Sequence, residues 1–279
     1  MALATNEEIL TSAQYKQISE FIYKISGINL GDGKEGLLRA RMTKLLRASK
    51  TGSVEEYIKR MEADTSGSLL ISFLDVVTTN KTDFFRENQH FIFFSETVLS
   101  SLSEICQPGE PLRIWCAASS TGEEPYTIAM VLQEHRDLWA KRGAQIFASD
   151  LSSKVLQHAA QCIYAKERVS NIPKNLLYSY FQKGTGPYEG FVRVRKPLRT
   201  MIRFSRINLM EKFDFAQKFH IIFCRNVMIY FDRPTQERLV AKFYDIMLPQ
   251  SYLFVGHSES LTGIDHKFAF VKPAIYRKE

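Results

Sequence analysis

Leu112–Met130 reads LRIWCAASSTGEEPYTIAM. The apolar run LRIWC has strand character, AASSTG is a turn of small residues, and PYTIAMVLQEHRDL repeats its apolar positions with helical spacing. A strand entering a helix through such a turn is the architecture of nucleotide-binding loops, where backbone N–H groups and the helix N-terminus attract an anion. A phosphate-binding loop requires GxxxxGK[ST], and a dinucleotide fold requires GxGxxG. This turn holds one glycine, Gly122, followed by Glu123 and Glu124. Carboxylates in a first helical turn satisfy the helix dipole themselves and repel a pyrophosphate. The ligand expected here is free of phosphate, and cationic or rich in hydroxyl groups.

Strand and helix keep alternating beyond this stretch: AQIFAS then SKVLQHAAQCIY, and FHIIFC then PTQERLVAKFYDIML. Continuous apolar strands between amphipathic helices require a parallel sheet covered on both faces, so the fold class is α/β with a Rossmann-like sheet. The last strands, SYLFVG and FAFVKPAIY, are expected to pair antiparallel at an edge. Between Tyr178 and Ser205, QKGTGPYEG is turn-rich, while FVRVR and MIRF alternate at period two. This predicts an inserted antiparallel β-subdomain over about residues 178–205.

Residues 1–78 read instead as a small all-α domain, with the α/β remainder at 79–279. Tyr15, Ile18, Ile22 and Ile25 mark a first helix ended by Gly27, and Leu38, Met42 and Leu45 a second. Ser53-Val54-Glu55-Glu56 is a capping box opening a third helix through Tyr57, Ile58 and Met61. Leu70, Phe73 and Val77 give a fourth.

S-adenosylmethionine satisfies the opening turn: it has a sulfonium, an ammonium, ribose hydroxyls and an adenine, and no phosphate. Asp150 ends the next strand, where a carboxylate can accept both ribose hydroxyls. Asn208 follows the strand-like MIRFSRI and offers a donor and an acceptor to an adenine edge. Taken singly, the two glutamates are also ordinary helix-start acids, and Asp150 an ordinary helix cap. Their joint placement at successive strand ends carries the reading.

The chain has 279 residues, with 37 Lys+Arg against 30 Asp+Glu, a net charge of +7 and a pI near 9.1. That favours an acidic partner, whether nucleic acid, anionic lipid or an acidic protein surface. Cys106, Cys116, Cys162 and Cys224 stand apart, without a CxxC pair for zinc or redox work, and no metal site is expected. A reduced, cytoplasmic protein is expected. MALATNEEILTSAQ has no basic and apolar signal-peptide pattern, and no apolar run nears the ~20 residues of a membrane helix.

Five stretches in one order, TTNKTDFFRE (Thr78–Glu87), AASSTGEEPYTIAM, FASDLS, FCRNVMIYFD (Phe223–Asp232) and FVGHSES (Phe254–Ser260), resemble the chemotaxis receptor methyltransferases, the CheR family. The resemblance implies a class I methyltransferase that uses S-adenosylmethionine to esterify glutamates on chemoreceptor cytoplasmic helices. It implies that Asn80, Thr82 and Arg86 reach the methionine end of the cofactor. It places Glu123 and Asp150 along the ribose and amino-acid side, Asn208 and Leu209 beside the adenine, and Arg225 with Asn226 closing the pocket. The residues do not choose between Glu123 and Glu124. Arg86 and Tyr230 are expected to orient the substrate carboxylate, although Tyr230 also fits a packed aromatic.

A glutamate side chain has a reference pKa of about 4.3, so it is ionised at neutral pH and needs no general base. Catalysis is then positioning. In RARMTKLLRASK, Arg41, Lys44, Arg47 and Lys50, with Arg39 nearby, form a positive stripe opposite Leu38, Met42 and Leu45. Docking onto an acidic receptor helix is the reading the resemblance favours; a solvated face is the other. The resemblance implies that the β-subdomain takes a receptor C-terminal peptide as an added strand where the receptor carries one. No nucleic acid is expected as a partner, because the (Asp/Asn)-Pro-Pro-aromatic turn of base methylation is replaced by Arg225-Asn226-Val227-Met228. His257 is expected to be structural, and the protein a monomer. A methyltransferase acting on another acidic partner or on nucleic acid, and a cofactor-binding adaptor without activity, are the alternatives.

Overall fold

The computed structural model describes residues 11–30, 33–106 and 109–279, so the signal-peptide reading of the first ten residues lies outside it. Four helices come first: α1 (Ser12–Ser26), α2 (Glu35–Ser49), α3 (Val54–Ala63) and α4 (Ser68–Val77). Thr11 caps α1 in a reciprocal box with Gln14. At α3 the expected box is half made. Ser53 accepts from the Glu56 N–H, but the Glu56 carboxylate reaches past Ser53 to the Gly52 N–H at 2.9 Å. Most anticipated apolar positions are buried, with Ile18, Ile22, Leu38, Met42, Tyr57 and Phe73 forming one core against which the half-buried Ile25 and Leu70 pack.

A helical passage follows: α5 (Gln89–Phe93), a π-helical turn (Phe94–Val98) and α6 (Leu99–Ile105). The α/β unit then begins with β1 (Leu112–Cys116), α7 (Glu123–Glu134), α8 (Arg136–Trp139), β2 (Ala144–Asp150) and α9 (Ser153–Gln161). Next come β3 (Ile163–Ala165), α10 (Lys174–Tyr180), β4 (Phe181–Lys183), β5 (Phe191–Val194), α11 (Lys196–Arg199) and β6 (Ile202–Arg206). The chain closes with β7 (Phe219–Cys224), α12 (Arg233–Ile246), β8 (Met247–Val255), β9 (Ala269–Lys272) and β10 (Ile275–Arg277).

The main sheet has seven strands in the order β6-β2-β1-β7-β8-β10-β9. From β6 to β8 the pairings are parallel, and β10 runs antiparallel to both β8 and β9. Side chains alternate between two cores: Leu112, Ile114 and Cys116 pack into one, Trp115 into the other. Every residue of β1 and β7 is buried, as expected for strands covered on both faces.

Three local expectations change. CIY does not continue α9: Cys162 turns left-handed at φ 55° and Ile163–Ala165 becomes a strand. MIRF does not join the β-subdomain, since Ile202–Arg206 pairs parallel with β2 as the edge of the main sheet. FAFVKPAIY is a hairpin of β9 and β10, turning at Ala274 with φ 63°. The small antiparallel sheet is therefore β3-β5-β4, with strands running from Ile163 to Val194. Short period-two runs look alike in the two sheets, and only β2 as a neighbour makes MIRF parallel. No helix among the described residues is long and apolar enough to cross a membrane. All four cysteines are free and buried.

Candidate active site

Strand order reverses at β1, whose neighbours β2 and β7 lie on opposite sides, and ligands of open α/β sheets bind at such a switch point. A cavity of about 320 Å³ opens there. Its floor carries Ala117, Ala118 and Ser120 after β1, Asp150 at the end of β2, Asn208 and Leu209 beyond β6, and Arg225 and Asn226 after β7. Its roof is the helical domain, through Ser26, Ile28, Lys34, Leu37 and Arg41. Asn80, Thr82, Arg86 and Tyr230 complete the wall.

The turn that opened the sequence reading is shaped by its single glycine. Gly122 adopts φ +99°, and a Cβ there would lie 2.8 Å from both the Ala159 Cβ and the Tyr164 hydroxyl. Only glycine combines that backbone with that clearance. Asp150 braces the turn: its carboxylate accepts from the Ser120 N–H and the Ser152 N–H, both at 2.9 Å. Ser152, not Asp150, caps α9. Burial raises the Asp150 carboxyl above its usual range, opposed by those N–H donors. Lone pairs remain for ribose hydroxyls, because an ionised carboxylate offers roughly four acceptor sites.

Glu124, and not Glu123, reaches the cavity. The Glu123 carboxylate points to the β-subdomain, 2.5 Å from Arg168 Nη2 and 2.6 Å from the Thr121 hydroxyl. Adjacent helical residues point about 100° apart, so one glutamate faces the cavity while the other bonds the subdomain. Asn208 also departs from expectation. Its Nδ2 donates to the Ile25 carbonyl at 2.7 Å and to Glu211, and its Oδ1 accepts from the Met210 N–H. Only the bond to Ile25 joins the two domains, the other two stay within residues 208–211, and together they hold the amide in the cavity wall.

Arg225 is an ion-pair hub. It is 5% exposed, bonds Glu124 Oε2 at 2.6 Å, Glu87 Oε2 at 2.9 Å and the Arg86 carbonyl at 2.5 Å, and lies over the Phe91 ring. Burial alone lowers its pKa, but Glu124 and Glu87 reverse this and hold it above the ordinary value. Glu87 also accepts from the Asn226 amide and the His257 N–H. Glu259 accepts from the backbone N–H groups of Asn226 and Ile229, fixing the turn that carries Tyr230. Glu87, Glu259 and Arg168 were missed in the sequence. The only signal for the first two was their presence in FFRE and GHSES; Arg168 had none.

Non-glycine residues with left-handed backbone cluster at this cavity: Phe85 (φ 53°), Glu87 (55°), Ser120 (47°) and Asn226 (58°). Such conformations cost about 1–3 kcal/mol each and persist only where surroundings impose them. Two of them flank Arg86, whose guanidinium donates to the Lys81 carbonyl at 2.8 Å. Tyr230 lies at the rim with Lys34 Nζ 5.4 Å from its ring centroid.

The positive stripe divides. Lys44, Arg47 and Lys50 are exposed and Arg39 is half-buried. Arg41 turns inward, bonding the Val77 carbonyl at 2.5 Å and the Thr79 hydroxyl at 3.0 Å, and lines the cavity.

The strand order, the switch-point cavity and the carboxylate closing β2 define a class I methyltransferase that uses S-adenosylmethionine. Residues 80–276 match the family described as "CheR methyltransferase, SAM binding domain", and residues 13–78 match "CheR methyltransferase, all-alpha domain". The chain belongs to the CheR methyltransferase family. A chemotaxis protein methyltransferase of Borreliella burgdorferi is 38% identical over 273 residues, covering 96% of this chain and 95% of the relative. One from Salmonella typhimurium is 37% identical, covering 98% and 92%. Chemotaxis protein methyltransferase 2 of Pseudomonas aeruginosa is 38% identical, covering 95% and 93%.

Proposed function

We propose that this protein methylates glutamate side chains on the cytoplasmic helices of bacterial chemoreceptors. One carboxylate oxygen forms a bond to the cofactor methyl group as the sulfonium–carbon bond breaks, giving a methyl ester and S-adenosylhomocysteine. The carrying observation is the division of charge in the cavity. Glu124, held by Arg225, and Asp150 lie on the floor, where the cationic cofactor is expected, while Lys34 and Arg41 stand near Tyr230 and Arg86 lines the wall. An anionic substrate meets cations and a cationic cofactor meets carboxylates. In this reading Arg86 and Tyr230 hold the attacking carboxylate, and Asn80 and Thr82 take the methionine end. Leu209 flanks the adenine, and Arg225 with Asn226 fixes the wall. No proton moves, so His257 has no catalytic task.

The exposed Lys44, Arg47 and Lys50, with Arg39 beside them, dock the acidic receptor helix. The β-subdomain supplies a second contact for a receptor C-terminal peptide. A groove there is lined by Gln182, Lys183, Tyr188, Phe191 and Arg193, and β3 and β4 are its free edges. The protein acts as a monomer in the cytoplasm, where those receptor helices lie. The test uses methyl-labelled S-adenosylmethionine and a chemoreceptor cytoplasmic fragment. Label released as methanol in mild alkali establishes a carboxyl ester; alkali-stable label means nitrogen methylation and overturns the reading.

A further inference from the structure

We propose that Glu87, His90 and His257 form a binding site for one divalent transition-metal ion of the zinc, cobalt or nickel class. His90 carries the observation. It is 1% exposed, and neither ring nitrogen has a hydrogen-bond partner. A neutral imidazole holds one N–H and one lone pair, and an unpaired buried polar atom costs about 1–3 kcal/mol. A metal ion, or a water molecule, would satisfy this ring.

The neighbours of that ring are metal ligands. His90 Nδ1 lies 3.6 Å from Glu87 Oε2, and the His257 ring crosses the His90 ring at 4.5 Å and 84°. One ligand atom from each of the three residues falls within 4.8 Å of the others. Ligands of a tetrahedral ion with bonds of about 2.1 Å stand about 3.4 Å apart. Glu87 Oε2 already accepts from Arg225 and the His257 N–H, so the carboxylate would bind through Oε1, which accepts only from Asn226. His257 is exposed, and its side chain is free to close the remaining distance and to admit the ion from solvent.

Charge favours the same occupant. Glu87, Glu124 and Glu259 crowd around the single guanidinium of Arg225 and the turn at Asn226. A divalent ion offsets that excess of carboxylate. Glu87 uses three acceptor sites, for Arg225, Asn226 and the His257 N–H, which leaves one of roughly four. Two imidazoles and one carboxylate suit zinc, nickel or cobalt better than magnesium or calcium. The spacing was invisible in sequence because His257 lies 170 positions beyond Glu87. The ion would clamp the strained Arg86 turn to the loop after β8.

The untagged protein, stripped with a chelator, is titrated with cobalt(II) by visible absorption and with zinc(II) by calorimetry. One ion per chain is expected, with tetrahedral cobalt bands and a higher melting temperature. His257→Ala, an exposed position, is expected to weaken binding by about tenfold or more and to lose the bands. No saturable binding at micromolar ion overturns the proposal, and so does unchanged binding in His257→Ala, which places the ion on other histidines.

Discussion

Replacing Arg225 with methionine removes the cation between Glu87 and Glu124 while keeping an apolar stem beside Phe91. Burial pushes the Glu87 carboxyl up, but the Asn226 amide, the Arg225 charge and hydrogen bond, and the His257 N–H overcome it, holding the value at about 2 against an ordinary 4.5. That gap is worth about 3 kcal/mol at ~1.36 kcal/mol per pH unit, shared among the donors. Glu124 loses its cation as well. Breaking a buried pair from one side costs about 3–5 kcal/mol, or a melting temperature lower by about 6–20 °C in a chain of this size. The folded Glu87 value lies below the unfolded one, so its stabilisation is present above about pH 4.5 and fades as pH falls toward 2. The deficit of the variant must narrow over that window. Urea unfolding at pH 7, 5 and 4, followed by the buried Trp115 and Trp139, measures it. A loss under about 1 kcal/mol at pH 7, or a deficit equal at pH 7 and 4, refutes the reasoning.

Asp150→Asn is expected to weaken S-adenosylhomocysteine binding about 10- to 100-fold by calorimetry, since bonds to a charged acceptor are worth about 1.5–3 kcal/mol. Glu124→Gln is expected to weaken cofactor binding more than Glu123→Gln does, and the reverse order would return the first glutamate to the site. Arg86→Ala is expected to lose about 100-fold or more in turnover with an unchanged melt, and normal turnover would remove it from the reaction. The double reversal Lys44→Glu/Arg47→Glu is expected to raise KM for the receptor fragment and flatten its salt dependence, with cofactor affinity unchanged. A salt dependence like the wild type's would show that the stripe is only a solvated face.

The sheet was legible because LRIWC, AQIFAS and FHIIFC are mostly apolar and lack a strict period-two alternation, the pattern of a strand covered on both faces. The rim carboxylate Asp150 was legible for the same reason: it ends a strand whose position the apolar run fixes. What periodicity leaves open is the partner. MIRF and FVRVR alternate alike, yet one lies against β2 and the other between β3 and β4. Glu123 and Glu124 are adjacent, and only the position of Arg168 on one side and Arg225 on the other sorts their roles. Asn208 was read as free because its true partner, the Ile25 carbonyl, lies 183 residues away.

The helical domain is more than a neighbour of the sheet. Gly27 comes so close to the second domain that a Cβ would lie 2.4 Å from Met210 Sδ, and the Asn29 N–H donates to the Tyr230 carbonyl at 2.7 Å. α2 therefore has two working surfaces. Arg41 and Leu37 look down on the cofactor cavity, while Lys44 and Arg47 look out toward solvent. If a receptor helix docks on the outer surface as proposed, it sits on the far side of the same helix that roofs the cofactor cavity, so receptor docking and cofactor exchange would both act through α2.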